Sequence, residues 1–163
     1  MRRRLTRCAA IILAAVAAAG GCSKAPAPAS APAPARHHEH HPPHGGTPMV
    51  LGDEVYHLEL VLDAQAGVLQ AYVLDGEMEN FVRCAAPSIV VDAMVGGKPE
   101  SVALEPVANA ATGETAGDTA LFEGRADWLV GARDFDGAVR SVTVRGTTFS
   151  GVTFNFPRGN DSD

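Results

Sequence analysis

The stretch Glu54-Val55-Tyr56-His57-Leu58-Glu59-Leu60-Val61-Leu62 alternates with the two-residue period of an extended chain. Tyr56, Leu58, Leu60 and Leu62 share one face, and His57, Glu59 and Val61 share the other, which predicts a half-buried strand. His57 and Glu59 are then expected to form an exposed surface pair on the solvent side. Ala64-Gln65-Ala66-Gly67 turns the chain, and Val68 to Leu74 returns as the hairpin partner. Working outward, Ser88 to Val95, the turn Gly96-Gly97-Lys98-Pro99 and Glu100 to Leu104 make a second hairpin. Leu121-Phe122-Glu123 reads as a short strand, and Ala126 to Val130 as one helical turn. Ala138 to Arg145 and Phe149 to Phe156, joined around Gly146-Thr147-Thr148, make a third hairpin. Short strands with a turn every 8–12 residues predict an all-β fold, an antiparallel β-sandwich of immunoglobulin-like size. Residues 50–157 are expected to form it, followed by a disordered tail over 158–163. Asn109 to Thr119, rich in Gly, Thr and Ala, reads as a mobile loop.

Composition removes several classes of function. The 163 residues carry 13 Lys+Arg against 19 Asp+Glu, a net charge of −6, which disfavours contact with a phosphate backbone. Aromatic residues are 6% of the chain, too few for stacking single-stranded bases, so no nucleic-acid partner is expected. There is no G-x-S-x-G elbow, no P-loop and no H-E-x-x-H. With His57 the only histidine of residues 50–157, a Ser-His-Asp or Cys84–His57 arrangement has no support from spacing, and a non-enzyme is expected.

Residues 1–21 read as a secretory signal: Arg2, Arg3, Arg4 and Arg7, then an apolar run from Ala9 to Ala19 that falls short of the ~20 residues needed to cross a bilayer. The run ends Ala19-Gly20-Gly21-Cys22, which resembles the lipobox of bacterial lipoproteins, although Ala19 stands where that family usually has Leu. The resemblance implies lipidation of Cys22 and an anchor in the cell envelope facing the periplasm. Ser23 after the Cys favours the outer membrane on the same grounds. The alternative is cleavage after Ala17-Ala18-Ala19, leaving a soluble periplasmic protein. Removing the four signal arginines and no acid leaves nine bases against nineteen acids, a net −10. Cys8 is lost with the signal, so Cys84 has no intramolecular disulfide partner and reads as a small buried apolar residue. Ser23 to Ala35, SKAPAPASAPAPA, favours polyproline II and could hold the adjoining histidine-rich segment roughly 40 Å from the lipid.

The tether, residues 22–49, closes on Arg36-His37-His38-Glu39-His40-His41-Pro42-Pro43-His44-Gly45-Gly46. Five of the six histidines lie within eight positions. Neutral imidazole suits Zn, Cu(II), Ni and Co, and Glu39 adds a carboxylate. His38, His41 and His44 would stand about 9 Å apart on a polyproline II helix. One ion with bonds of about 2 Å is not shared over that span unless the tract bends, and Gly45-Gly46 could supply the bend. Several loose, exchangeable sites are expected from His37, His38, Glu39, His40, His41 and His44, and His57 could join one of them. The plainer reading is a solvated linker that gains up to five positive charges below about pH 6.5.

Other groups read as structural. Asp75-Gly76-Glu77-Met78-Glu79-Asn80 resembles the start of a calcium loop but has Asn80 at the required Gly and Ala86 at the required Glu, so it reads as a solvated acidic turn. Met78 is a single thioether, Trp128 a core anchor, and Asp134 and Asp136 solubilising.

His44-Gly45-Gly46, then Leu51 to Asp63, then Tyr72-Val73-Leu74-Asp75 resemble two groups of proteins: small uncharacterised envelope lipoproteins, and His-Gly-Gly-led β-domains near periplasmic adaptors of heavy-metal efflux pumps. The resemblance implies a β-sandwich and metal traffic in the envelope. The expectation is therefore a lipid-anchored periplasmic protein that binds a divalent transition metal for buffering or hand-over, beside an efflux or other envelope partner. Its rival is an envelope interaction or structural lipoprotein with an incidental His-rich linker.

Overall fold

The computed structural model describes residues 41–160. The chain runs β1 (Thr47–Leu51), β2 (Tyr56–Asp63), β3 (Val68–Asp75), β4 (Ile89–Val95), β5 (Lys98–Pro106), β6 (Leu121–Arg125), a 3-10 turn at Asp127–Leu129, β7 (Phe135–Val144) and β8 (Thr147–Phe156). The fold is all-β. All pairings are antiparallel, and the eight strands make one sheet in the order β1-β2-β3-β6-β5-β4-β7-β8.

The three expected hairpins are β2–β3, β4–β5 and β7–β8. Gly96 and Gly97 form a two-residue loop with φ of 56° and 79°, the doubly left-handed turn whose twist matches that of the strands it joins. Arg145-Gly146 makes the same turn between β7 and β8 with φ of 47° and 86°. A non-glycine residue at positive φ costs roughly 1 kcal/mol, which the flanking ladder offsets.

The sheet folds on itself at β5. Lys98 to Leu104 pair with β4, whereas only Glu105 and Pro106 pair with β6. One half (β1, β2, β3, β6) therefore covers the other (β5, β4, β7, β8), and the two layers of a sandwich are parts of one continuous, nearly barrel-shaped sheet. Leu58, Leu60, Ala71 and Phe122 from the first half meet Val91, Leu104, Val139 and Phe154 from the second in one buried cluster. Trp128 lies half-buried with its ring edge-on to Phe135, centroids 5.3 Å apart.

Three expectations need correction. First, the strands begin before Val50. Thr47, Met49 and Leu51 are buried in β1, and Pro48 is tolerated because β1 is an edge strand, where one row of donors is not required for the ladder. Second, residues 158–160 are not tail. The Asn160 side-chain amide accepts from Val50 N at 2.7 Å and donates to Val50 O at 3.1 Å, and Gly159 is buried beside Pro48. These contacts draw the β8 end toward β1, across the one seam that no ladder closes. Third, the loop over 109–119 has an internal framework. Glu114 accepts from Ala120 N at 2.9 Å and from the Thr112 hydroxyl, and the Arg83 guanidinium reaches the Thr112 and Gly113 carbonyls. Thr119 is fully buried.

Candidate functional site

β2 is buried on both faces. Leu58 and Leu60 enter the core, and His57 and Glu59, on the opposite face, also have 0% exposure. The expected exposed pair is therefore overturned. Across the outer face β2 registers Pro48, Glu59 and Tyr72 in one row and Val50, His57 and Leu74 in the next. What covers Glu59 is the end of the histidine tract.

Pro42 to Gly45 make a turn closed by Gly45 N donating to Pro42 O at 3.0 Å. Gly45 takes φ +67°. Gly46 then passes so close over β2 that a Cβ there would lie 2.9 Å from Glu59 Cγ and 2.9 Å from Val61 Cγ2. This approach needs glycine. It brings three donors onto one carboxylate: His44 N at 2.7 Å and Gly46 N at 2.9 Å to Oε1, and His44 Nδ1 at 2.8 Å to Oε2. A buried carboxylate loses its hydration, and charge-assisted bonds of this length replace it. Both backbone N–H groups donate to Oε1, and wherever Oε2 is an unprotonated acceptor the His44 ring meets it with a hydrogen on Nδ1.

The His44 ring stacks on Tyr72 with centroids 3.9 Å apart and a 20° interplanar angle, and Phe81 leans on both rings at 5.8 and 5.9 Å. The Tyr72 hydroxyl donates to Gln70 Oε1 at 3.2 Å, and Gln70 Nε2 donates to Glu123 at 2.9 Å. Burial, and then the negative charges of Glu59 and Glu123, push the Tyr72 phenol above its ordinary value and keep it protonated. The three rings edge a cavity of about 460 Å³ that Asn109, Glu114 and Leu121 also line. His44 is 36% exposed and Phe81 51%, so one side of this cluster is open to solvent.

The sequence-predicted site residues divide accordingly. Cys22, His37, His38, Glu39 and His40 lie outside the described residues. His41 is exposed, and His44 is docked on Glu59. His57 Nδ1 lies 3.2 Å from the Asp75 carbonyl oxygen, inside the sheet face. Among the described residues no three His, Cys, Asp or Glu side chains converge on a point where an ion would sit. The Asp75–Asn80 segment is a closed turn: Asp75 Oδ1 accepts from Glu79 N and Asn80 N, Oδ2 accepts from Asn80 Nδ2 at 2.7 Å, and Met78 is buried. Burial alone would raise the Asp75 carboxyl, but these donors outweigh it and hold it below its ordinary value. Cys84 is buried, and burial pushes its thiol up, away from the reactive thiolate.

Glu59 and Tyr72 are the site residues that sequence reasoning missed. One signal was available. The return strand Val68-Leu69-Gln70-Ala71-Tyr72-Val73-Leu74 is apolar at positions on both faces, as a strand covered on both sides would be. Comparison with protein-family models, with curated proteins and with solved structures found no match to this chain.

Proposed function

We propose that this is a lipid-anchored, periplasm-facing protein that captures a divalent transition metal (Zn, Cu, Ni or Co) through His37, His38, His40, His41 and His44. On this reading it is a binding protein, not an enzyme. Cys22 carries the lipid, with the outer membrane favoured, and residues 23–36 are the spacer. The ion is buffered or handed to an envelope partner such as an efflux system.

The observation that carries the reading is the join between tract and domain. Five imidazoles within eight positions lead directly into a buried carboxylate that grips the last of them, His44, by its Nδ1 atom. Metal-ligating histidines are commonly held in this way, with the ring nitrogen not facing the metal donating to a carboxylate. The rival, an envelope interaction module with an incidental linker, treats the Glu59 bonds as a fastening and nothing more.

Calorimetric titration of the protein from Ser23 onward with Zn, Cu(II), Ni and Co separates the two. Saturable binding that is micromolar or tighter is expected, with stoichiometry falling when His37, His38, His40 and His41 are changed to Ala, a variant that leaves the docked His44 intact. Absence of binding, or binding indifferent to the four substitutions, would move the assignment to the interaction module.

A further inference from the structure

We propose that the cavity beside the second half of β7 binds a phosphomonoester, with Arg145 as the cation that captures it; this stands apart from the metal-binding reading. The cavity holds about 510 Å³. Residues 83–88, ahead of β4, line it together with Arg140 to Thr143 of β7 and the turn residues Arg145 and Gly146. Its charge is opposite to that of the rest of the fold. Residues 41–160 carry seven Lys and Arg against sixteen Asp and Glu, a net −9. Three of those seven cations, Arg83, Arg140 and Arg145, line this cavity, and of the sixteen acids only Asp118 does. The lining is therefore net +2. A concave surface of one sign gathers ions of the other.

The three guanidinium groups are not equally free. Arg140 gives Nε and Nη2 to Asp92 at 3.1 and 2.7 Å, which fixes the plane of the group and leaves Nη1 uncommitted. Arg83 donates to the Thr112 and Gly113 carbonyls, which take its hydrogens without cancelling its charge. Asp118 and Glu114 stand 3.4 and 4.0 Å from it. Arg145 makes no hydrogen bond or ion pair among the described residues, so its charge is offset by no neighbour. It takes φ 47° in a hairpin turn where Asn or Gly is the usual residue. The demands of the turn therefore do not account for an arginine there.

Guanidinium forks match carboxylate and phosphate oxygens. Here the donors stand on two walls: Arg83 and the Ser88 hydroxyl on one, Arg140, Ser141 and Arg145 on the other. A tetrahedral group with three terminal oxygens meets donors from two sides better than a planar carboxylate does. Its charge at pH 7, about −1.5 to −2, also answers the lining's. Pro87, Val90 and Val142 give the cavity an apolar wall for the organic part of the ester. A volume of this size suits a small organic ligand. The ester is either a soluble metabolite or the headgroup of a lipid, and the chemistry of capture is the same for both.

Nitrogen-15 amide spectra of the protein from Ser23 onward, titrated with glycerol 3-phosphate at pH 7.5 and constant ionic strength, test the site. Saturable shifts are expected at residues 83–88 and 140–146, weakening as sodium chloride is raised. Sulfate shares the tetrahedral shape but has no organic part, and should bind more weakly. Equal affinity for sulfate overturns the phosphomonoester assignment. Arg145→Asn removes the cation and installs a residue that the turn favours, so the hairpin is retained. It should weaken binding about tenfold or more, the loss of one charge-assisted contact. Arg133→Gln makes the same charge change at an exposed arginine outside the cavity and should alter affinity less than about twofold. Shifts scattered over the surface, or equal losses in the two variants, overturn the proposal. Should Arg145→Asn fail to fold, the wild-type shift map and the sulfate comparison decide.

Co-sedimentation with phosphatidylcholine vesicles containing phosphatidic acid separates the two sources. Arg145-dependent sedimentation assigns a lipid headgroup. Glycerol 3-phosphate binding without sedimentation assigns a soluble ester. The absence of both overturns the site.

Discussion

Replacing Glu59 with Ala tests whether the docked tract is part of the folded domain. The carboxylate accepts three hydrogen bonds, from His44 N, His44 Nδ1 and Gly46 N, and has no exposure. Bonds to a charged acceptor are worth about 1.5–3 kcal/mol each, so their gross contribution is roughly 5–9 kcal/mol. Two effects reduce the net loss. The substitution also removes the penalty of burying a carboxylate, which is several kcal/mol, and the freed donors belong to a segment that can swing into water. A net destabilisation of about 2–4 kcal/mol is expected, or roughly 10 °C in melting temperature for a domain of this size.

Urea unfolding followed by circular dichroism at 25 °C gives the number, and a double-mutant cycle with His44→Ala isolates the ring's share. Coupling of about 1–2 kcal/mol is expected between groups in direct contact. A Glu59→Ala protein within about 0.5 kcal/mol of wild type, or coupling near zero, would refute the argument: residues 42–46 would then add no stability to the domain, and Glu59 would owe its burial to neighbouring side chains alone.

The same geometry sets three further outcomes. Gly46→Val places a side chain within 3 Å of Glu59 Cγ and Val61 Cγ2, so the tract end should lift; the ring-current shift of His44 over Tyr72 should vanish from the proton spectrum, at a cost of about 1–3 kcal/mol. Asn160→Ala removes both bonds to Val50 across the β1–β8 seam; a loss of about 1–2 kcal/mol is expected, with faster hydrogen exchange at the Val50 amide than at the β2–β3 ladder. In acid, Asp92 is held below its ordinary value of 3.8 by the Arg140 guanidinium, and Glu114 below 4.5 by the Thr112 hydroxyl and Ala120 N–H. Their contribution to stability is therefore complete above the unfolded values and is lost as the pH falls through the lower folded ones. The urea midpoint should decline below about pH 4.5, and Asp92→Asn should flatten part of that decline; a midpoint unchanged down to about pH 3 would contradict it.

The hairpins were legible because each is a local device. Gly96-Gly97 needs only its own backbone freedom to turn β4 into β5, and the alternation from Tyr56 to Leu62 is set by the geometry of an extended chain. Cys84 was likewise readable as a buried thiol, since a small, weakly polar side chain follows the apolar residues inward. The site was not legible in the same way. Alternation sorts side chains onto two faces without saying whether the second face meets water, and on β2 it does not.

By itself the sequence determined an all-β chain, its three hairpins, the acidic balance and the run of five histidines. Tertiary structure alone decided that β1 begins at Thr47, that Asn160 spans the seam to Val50, and that His44 folds back onto Glu59, fifteen residues along the chain. The reason is physical. Turns and strand periodicity depend on neighbouring residues, whereas the cover over a sheet face and the closing of a barrel depend on segments that meet only after the sheet has coiled. A glutamate in an alternating strand looks like a solvent-facing residue until a distant glycine brings its hydrogen-bond donors to it.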